Sequence, residues 1–310
     1  MTLYLTEEDV EALLTTEDAL EAVEGSFRRL AAGAVENQPR YRLRLEHGIL
    51  AVMAAADLEL GYAGTKTYTA FGGLDNVRFV VQLFETRRAE LAAVIEANRL
   101  GQLRTGAASG VAAKYLARTG AKSLGVIGCG WQAESQVASI RAAVPTVERV
   151  LAYCRTRERL EDFCRRLDAE PAEQREAAAQ EIVVTATTSE DPVLRGEWLQ
   201  PGALVCAIGA NDSSSRELDN VVLERASFVC CDSKEQSKLE SGDLVEPIAQ
   251  GVLDWLEVHE LQEVVVGEVA GRASDDDIVL FKSNGLAAWD VAIGAAALER
   301  ARDRGVGREL

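Results

Sequence analysis

Apolar positions recur along the chain at two spacings, and the change between them divides it. Thr6 stands before Glu7, Glu8 and Asp9, and Thr16 before Glu17 and Asp18. A hydroxyl that accepts from a free backbone N–H, followed by acids in the positive first turn, marks a helix start, so two N-terminal helices are predicted. In the second, Leu20, Val23, Phe27 and Leu30 form one stripe ending near Gly33. Alternation then replaces the helical period. Residues 40–52 read as a hairpin about His47-Gly48, and 64–69 and 77–85 as further strands of a small sheet. A helix over 106–118 places Ala107, Val111, Tyr115 and Leu116 on a broad face.

Beyond Gly120 the text changes. Short apolar runs at 123–128, 150–154, 182–186, 204–209, 228–232 and 278–282 are separated by helical stretches. Runs apolar on both faces and linked by helices predict parallel strands with crossover connections. The fold class expected is α/β, a Rossmann-type doubly wound parallel sheet over 120–286 plus a smaller α+β domain over 1–119, with a last helix at 287–300. One strand is weak: 167–180 contains Pro171 and a helix-like 173–179, so the sheet edge is expected to be trimmed there.

At 310 residues the chain is long enough for two cores, and 47% hydrophobic with 27% charged residues is an ordinary globular composition. The net charge of −17 repels nucleic acid and anionic membrane surfaces, and no apolar run reaches membrane-spanning length. A soluble, cytoplasmic protein without nucleic-acid or membrane partners is expected. The same acidity repels a carboxylate or a dinucleotide, so a site for either must gather Arg and Lys locally. Six cysteines without a C-x-x-C pair, and only two histidines, argue against a metal site and for reduced thiols.

The run Leu124 to Ile127 leads into Gly128-Cys129-Gly130-Trp131-Gln132-Ala133 and then a helix with Ala133, Val137, Ile140 and Val144 inward. This is G-x-G-x-x-A between strand and helix, the context in which the glycines allow a tight turn and close approach of a pyrophosphate to the helix N-terminus. The next strand ends Tyr153-Cys154-Arg155-Thr156-Arg157, with no acid for the ribose hydroxyls. Two guanidiniums and a hydroxyl suit a 2′-phosphate, so NADP(H) is favoured over NAD(H).

Further motifs complete the picture: Gly64-Thr65-Lys66-Thr67, Leu103-Arg104-Thr105, Arg216-Glu217-Leu218-Asp219, Glu240-Ser241-Gly242-Asp243 and Phe281-Lys282-Ser283-Asn284-Gly285. Together and in this order they resemble the ornithine cyclodeaminase and mu-crystallin family over nearly the whole chain. The resemblance implies a homodimer, with a substrate-binding and dimerisation domain formed by 1–119 plus 287–310 and a dinucleotide domain at 120–286. It also implies NAD(P)-dependent interconversion of amino acids and imines, with Arg40, Lys66 and Arg104 holding the substrate carboxylate. Arg42, two places along the same strand, is an alternative to Arg40.

Two positions depart from the cyclodeaminase pattern. Asn211 follows Gly209-Ala210 where those enzymes carry a catalytic aspartate, with Asp212 one residue late, and Ala51 replaces the glutamate that reads a distal amine. An amide is no general base, so reduction of a 2-imino acid or cyclic ketimine, of the pyrroline or piperideine 2-carboxylate type, is favoured. Lys66 and Asn211 are the candidate catalytic residues, and Thr187, Thr188, Ser283 and Gly285 are expected at strand ends near the nicotinamide. The rivals are deamination of ornithine or alanine, and non-catalytic NADPH binding.

Overall fold

The computed structural model describes residues 2–71 and 77–310, which fall into two units, 1–104 with 286–310, and 105–285. In the first, β1 (Leu3–Leu5) leads to α1 (Glu7–Leu13) and α2 (Thr16–Ala31). Both helices start in reciprocal capping boxes, Thr6 with Asp9 and Thr15 with Asp18. The second cap is therefore Thr15; Thr16, the expected cap, is the first helical residue. The buried face of α2 is Ala19, Val23, Ser26 and Phe27.

Five strands follow: β2 (Val35–Leu45), β3 (Gly48–Asp57), β4 (Tyr62–Phe71), β5 (Arg78–Glu85) and β6 (Glu90–Glu96), antiparallel in succession. The β2–β3 hairpin turns at Leu45 and Gly48, where expected. Its register slips between Gln38 and Tyr41, which releases Arg40 from the regular alternation.

Helix α3 (Asn98–Leu116) begins eight residues before the expected start, and the division between the units falls within it. Residues 100–113 are all buried. A helix buried all round carries no amphipathic stripe to announce where it begins.

The second unit alternates as the sequence predicts. It comprises β7 (Ser123–Ile127), α4 (Trp131–Ala143), β8 (Arg149–Tyr153), α5 (Arg157–Leu167), β9 (Glu170–Pro171), α6 (Gln174–Ala178), β10 (Ile182–Thr185), β11 (Leu204–Ala207), α7 (Asn220–Arg225), β12 (Ala226–Cys231), α8 (Lys234–Glu240), α9 (Gly242–Ala249), β13 (Val258–Glu260), α10 (Leu261–Val265) and β14 (Ile278–Lys282). The strands lie in the order β13-β12-β14-β11-β10-β7-β8-β9, every pair parallel. The trimmed edge is β9, two residues long. Since β8 and β10 flank β7 on opposite sides, the chain reverses direction of winding at β7, where doubly wound sheets bind ligands.

Helix α11 (Ala287–Arg304) and β15 (Arg308–Glu309) return to the first unit. There β15 pairs with β1, giving a sheet ordered β15-β1-β6-β5-β4-β3-β2, on which α11 packs. Among the described residues no helix is long and apolar enough to cross a membrane.

Candidate functional site

Each unit carries a set of groups suited to part of a reaction. In the first, a row of side chains crosses the sheet. Lys66 on β4 lies between Met53 on β3 and Val81 on β5. Released by the bulge, Arg40 turns inward and its Nε donates to Met53 Sδ at 3.4 Å. Arg42 lies opposite Ala51 and is partly exposed.

Lys66 is 2% exposed and Arg104 7%. Both meet a carboxylate that the sequence reading did not single out, Asp290 of α11. Lys66 Nζ lies 3.1 Å from Asp290 Oδ1 and 3.0 Å from Oδ2, and Arg104 Nε lies 3.2 Å from Oδ1. Lys66 also sits over the Phe79 ring, and Arg104 over that of Trp289. Burial, the Arg104 guanidinium and the charge of Arg40 lower the Lys66 pKa to about 7, against the opposing pull of Asp290. Arg104 is the seventh residue of α3 and lies buried beside this carboxylate. One signal for Asp290 was available, since it is the acid inside an otherwise alanine-rich apolar run, 287–298.

The second unit carries the glycine loop. Gly128 has φ +113°, and a Cβ there would lie 2.3 Å from Ala186 O, so both backbone and space require glycine. At Gly130 a Cβ would meet nothing within 4 Å. Glycine is thus not demanded there by the protein itself, and the open space lies at the N-terminus of α4, where no side chain caps the helix. Beside it, Gln132 Oε1 is buried without a hydrogen-bond partner. Open space and an uncapped helix N-terminus fit a bound pyrophosphate. Trp131 is 44% exposed and Ala133 is buried against the sheet. Arg155, Thr156 and Arg157 are all exposed after β8, and Arg157 Nε reaches Glu161 at 2.9 Å. Cys129 and Cys154 are half-exposed; burial and the Cys154 thiol hold the Cys129 thiol well above its ordinary pKa.

The remaining motifs form a buried scaffold. Glu217 accepts from Thr185 Oγ1 (2.8 Å), Thr187 N and Oγ1 (both 2.7 Å) and Gly209 N (2.7 Å). Asp243 Oδ1 accepts from the Glu217 and Leu218 amides, and its Oδ2 lies 3.1 Å from Lys282 Nζ. Lys282 also donates to Ala210 O. Asp232 Oδ2 accepts from Ser283 Oγ and from the amides of Asn284 and Gly285. Thr187 and Ser283 therefore lie at strand ends, with their hydroxyls engaged by carboxylates. Asn211 is exposed on the loop that Glu217 and Lys282 anchor, while Asp212 accepts from Ser214 N and Oγ in a local turn.

Comparison with known proteins gives matches over nearly the whole chain. The model of the ornithine cyclodeaminase/mu-crystallin family matches residues 1–305. An alanine dehydrogenase of Archaeoglobus fulgidus is 36% identical over 320 residues, covering 100% of this chain and 98% of that protein. The solved Δ1-pyrroline-2-carboxylate reductase of Thermococcus litoralis, in complex with NADH and L-proline, superposes with a TM-score of 0.94 at 31% identity, over 99% of this chain and 100% of that one. An archaeal alanine dehydrogenase dimer with bound NAD gives 0.94 at 35% identity, over 100% and 98%.

Proposed function

Because the chain belongs to the ornithine cyclodeaminase/mu-crystallin family, we propose that it is an NAD(P)-dependent oxidoreductase that reduces a 2-imino acid or cyclic ketimine, of the pyrroline or piperideine 2-carboxylate type, to the amino acid. The observation that carries this reading is the charge of the first unit's cluster. Lys66 and Arg104 are buried together on the one carboxylate of Asp290, and the charge of Arg40 reaches Lys66 as well. Two cations sharing a single acid leave positive charge over, a costly arrangement in a buried place unless a ligand carboxylate completes it.

In this reading Arg40, Lys66 and Arg104 hold the substrate carboxylate, and the first unit is the substrate-binding and dimerisation domain. The loop from Gly128 to Ala133 holds the pyrophosphate in the second unit, the dinucleotide domain. Arg155, Thr156 and Arg157 favour NADP(H), with NAD(H) accommodated as in the solved relatives. A nicotinamide dinucleotide bound there would supply or take up a hydride. A Lys66 amine with a pKa near 7 can hold or release a proton at neutral pH, and Asn211 is a neutral hydrogen-bonding group in place of a base. The carboxylate clamp fixes the imine carbon, and orientation of that kind lowers barriers by several kcal/mol without a strong base. Free cysteines suit a reducing cytoplasm. Exposed Tyr41, Leu43 and Leu45 on edge strand β2 supply apolar surface for a homodimer.

The full-length likeness to an alanine dehydrogenase favours one second reading, oxidative deamination of a small amino acid, in which neutral Lys66 accepts the proton. Oxidation of NADPH and NADH with pyrroline 2-carboxylate and piperideine 2-carboxylate, set against reduction of NADP+ and NAD+ by alanine with release of ammonia, separates the two. We expect turnover of a cyclic imine, lost at least a hundredfold in Lys66→Ala. Activity confined to alanine with NADP+ or NAD+, with ammonia released, establishes the second reading, and equal activity in Lys66→Ala sinks the assigned clamp.

A further inference from the structure

Asp290 lies on the buried face of α11, flanked by Ala287, Ala288, Trp289, Val291 and Ala292, all of them buried. A carboxylate in such surroundings is driven toward its neutral form unless cations face it. Two do, from different elements: Lys66 of β4 donates to Oδ1 and lies 3.0 Å from Oδ2, and Arg104 of α3 donates to Oδ1. Among the described residues the charged groups facing Lys66 are Arg40 from β2, Arg104 from α3 and Asp290 from α11; Met53, Val81 and Phe79 present no charge.

The three cations are not equivalent. Guanidiniums keep their protons under all ordinary conditions, so the strain of gathering three positive charges falls on the one group able to shed a proton, Lys66. A neutral amine can still donate a hydrogen bond but forms no ion pair with a carboxylate. We propose that Asp290 is a positioning residue that keeps Lys66 protonated and holds it beside Arg104 as a ready receptor for the substrate carboxylate. The inference rests on the carboxylate-binding reading of this cluster and adds to it a built-in anion. Asp290 offsets part of the positive charge, so the lysine keeps its proton up to about pH 7, and leaves enough to attract a substrate.

The test is a pH titration of the full chain carrying lysine labelled with 13C at Cε, followed by NMR. The Lys66 resonance is identified by its loss in Lys66→Arg. Its midpoint should lie near 7 in the wild type. In Asp290→Asn it should fall by about one unit or more, a tenfold loss of the protonated form at a given pH above both midpoints, and Asp290→Glu should restore most of the shift. In Arg104→Gln, which leaves the whole of Asp290 to the lysine, the midpoint should rise. An unmoved midpoint in a folded Asp290→Asn overturns the proposal. Should that variant not fold, an Arg104→Gln midpoint that fails to rise overturns it instead. The pH profile of kcat/KM for pyrroline 2-carboxylate is read in parallel, and its alkaline limb should follow the NMR midpoint. Shifted midpoints in an enzyme that turns over no imine keep this proposal and sink the functional reading; turnover with unmoved midpoints does the reverse.

Discussion

Single residues here are explained by what would happen to their neighbours on substitution. Gly128 and Gly130 are two positions apart in one motif, yet the structure separates their reasons. A side chain at Gly128 is excluded by positive φ and by Ala186 O; Gly128→Ala should cost about 1–3 kcal/mol or more in a denaturant melt. Gly130→Ala meets no protein atom. It should melt within a few degrees of the wild type while NADPH affinity, read by nicotinamide fluorescence, falls tenfold or more. A Gly130→Ala protein that binds NADPH normally contradicts the assigned pyrophosphate site. Likewise Arg155→Ala should raise the KM for NADPH at least tenfold and leave that for NADH near its starting value. Lys66 also affects stability. Its folded pKa of about 7 lies below the ordinary 10.5, so between these values the unfolded chain binds more protons than the folded one. Stability from this group therefore rises with pH across 7 to 10.5, and its penalty is fully present below about 7. Denaturant melts of wild type and Lys66→Met should converge as pH increases through that window.

At the level of elements, the sequence was most legible where one face of an element is wet. The hairpin at His47-Gly48 and the strand-loop-helix at Leu124 to Ala133 have contrasting faces or a demanding turn, and both stand where the pattern puts them. Helix α3 has no wet face between residues 100 and 113, and its first two turns passed unread. The bulge that turns Arg40 inward, and the distant Asp290 that joins Lys66 and Arg104, depend on contacts 13 to 224 positions apart, which no local period encodes. The Arg216-Glu217-Leu218-Asp219 and Phe281-Lys282-Ser283-Asn284-Gly285 motifs were visible, but their shared task was not. Glu217 ties the ends of β10 and β11 together through side-chain and amide donors. In Glu217→Gln the new amide N–H₂ meets a backbone N–H that can only donate, of Thr187 or of Gly209, and the change should destabilise the protein by roughly 2–4 kcal/mol, measured as a lower denaturation midpoint.

For the whole molecule, the sequence yields two units and an α/β class, and the structure adds how the chain travels between them. It leaves the first unit after Arg104, completes an eight-stranded sheet, and comes back at Leu286. The returning segment is not an accessory, because α11 supplies Trp289, Asp290, Val291 and Leu298 to the core of the first unit, and β15 pairs with β1, Leu3 with Glu309 and Tyr4 with Arg308. The order of synthesis follows from this. On the ribosome the second unit can close as soon as β14 emerges, while residues 1–104 have to wait, sheet uncovered, for residues 286–310. Of the two units, the one begun earlier is the one finished later. In that interval Lys66 and Arg104 lack their shared acid, and the cluster acquires its charge balance only when the final helix arrives.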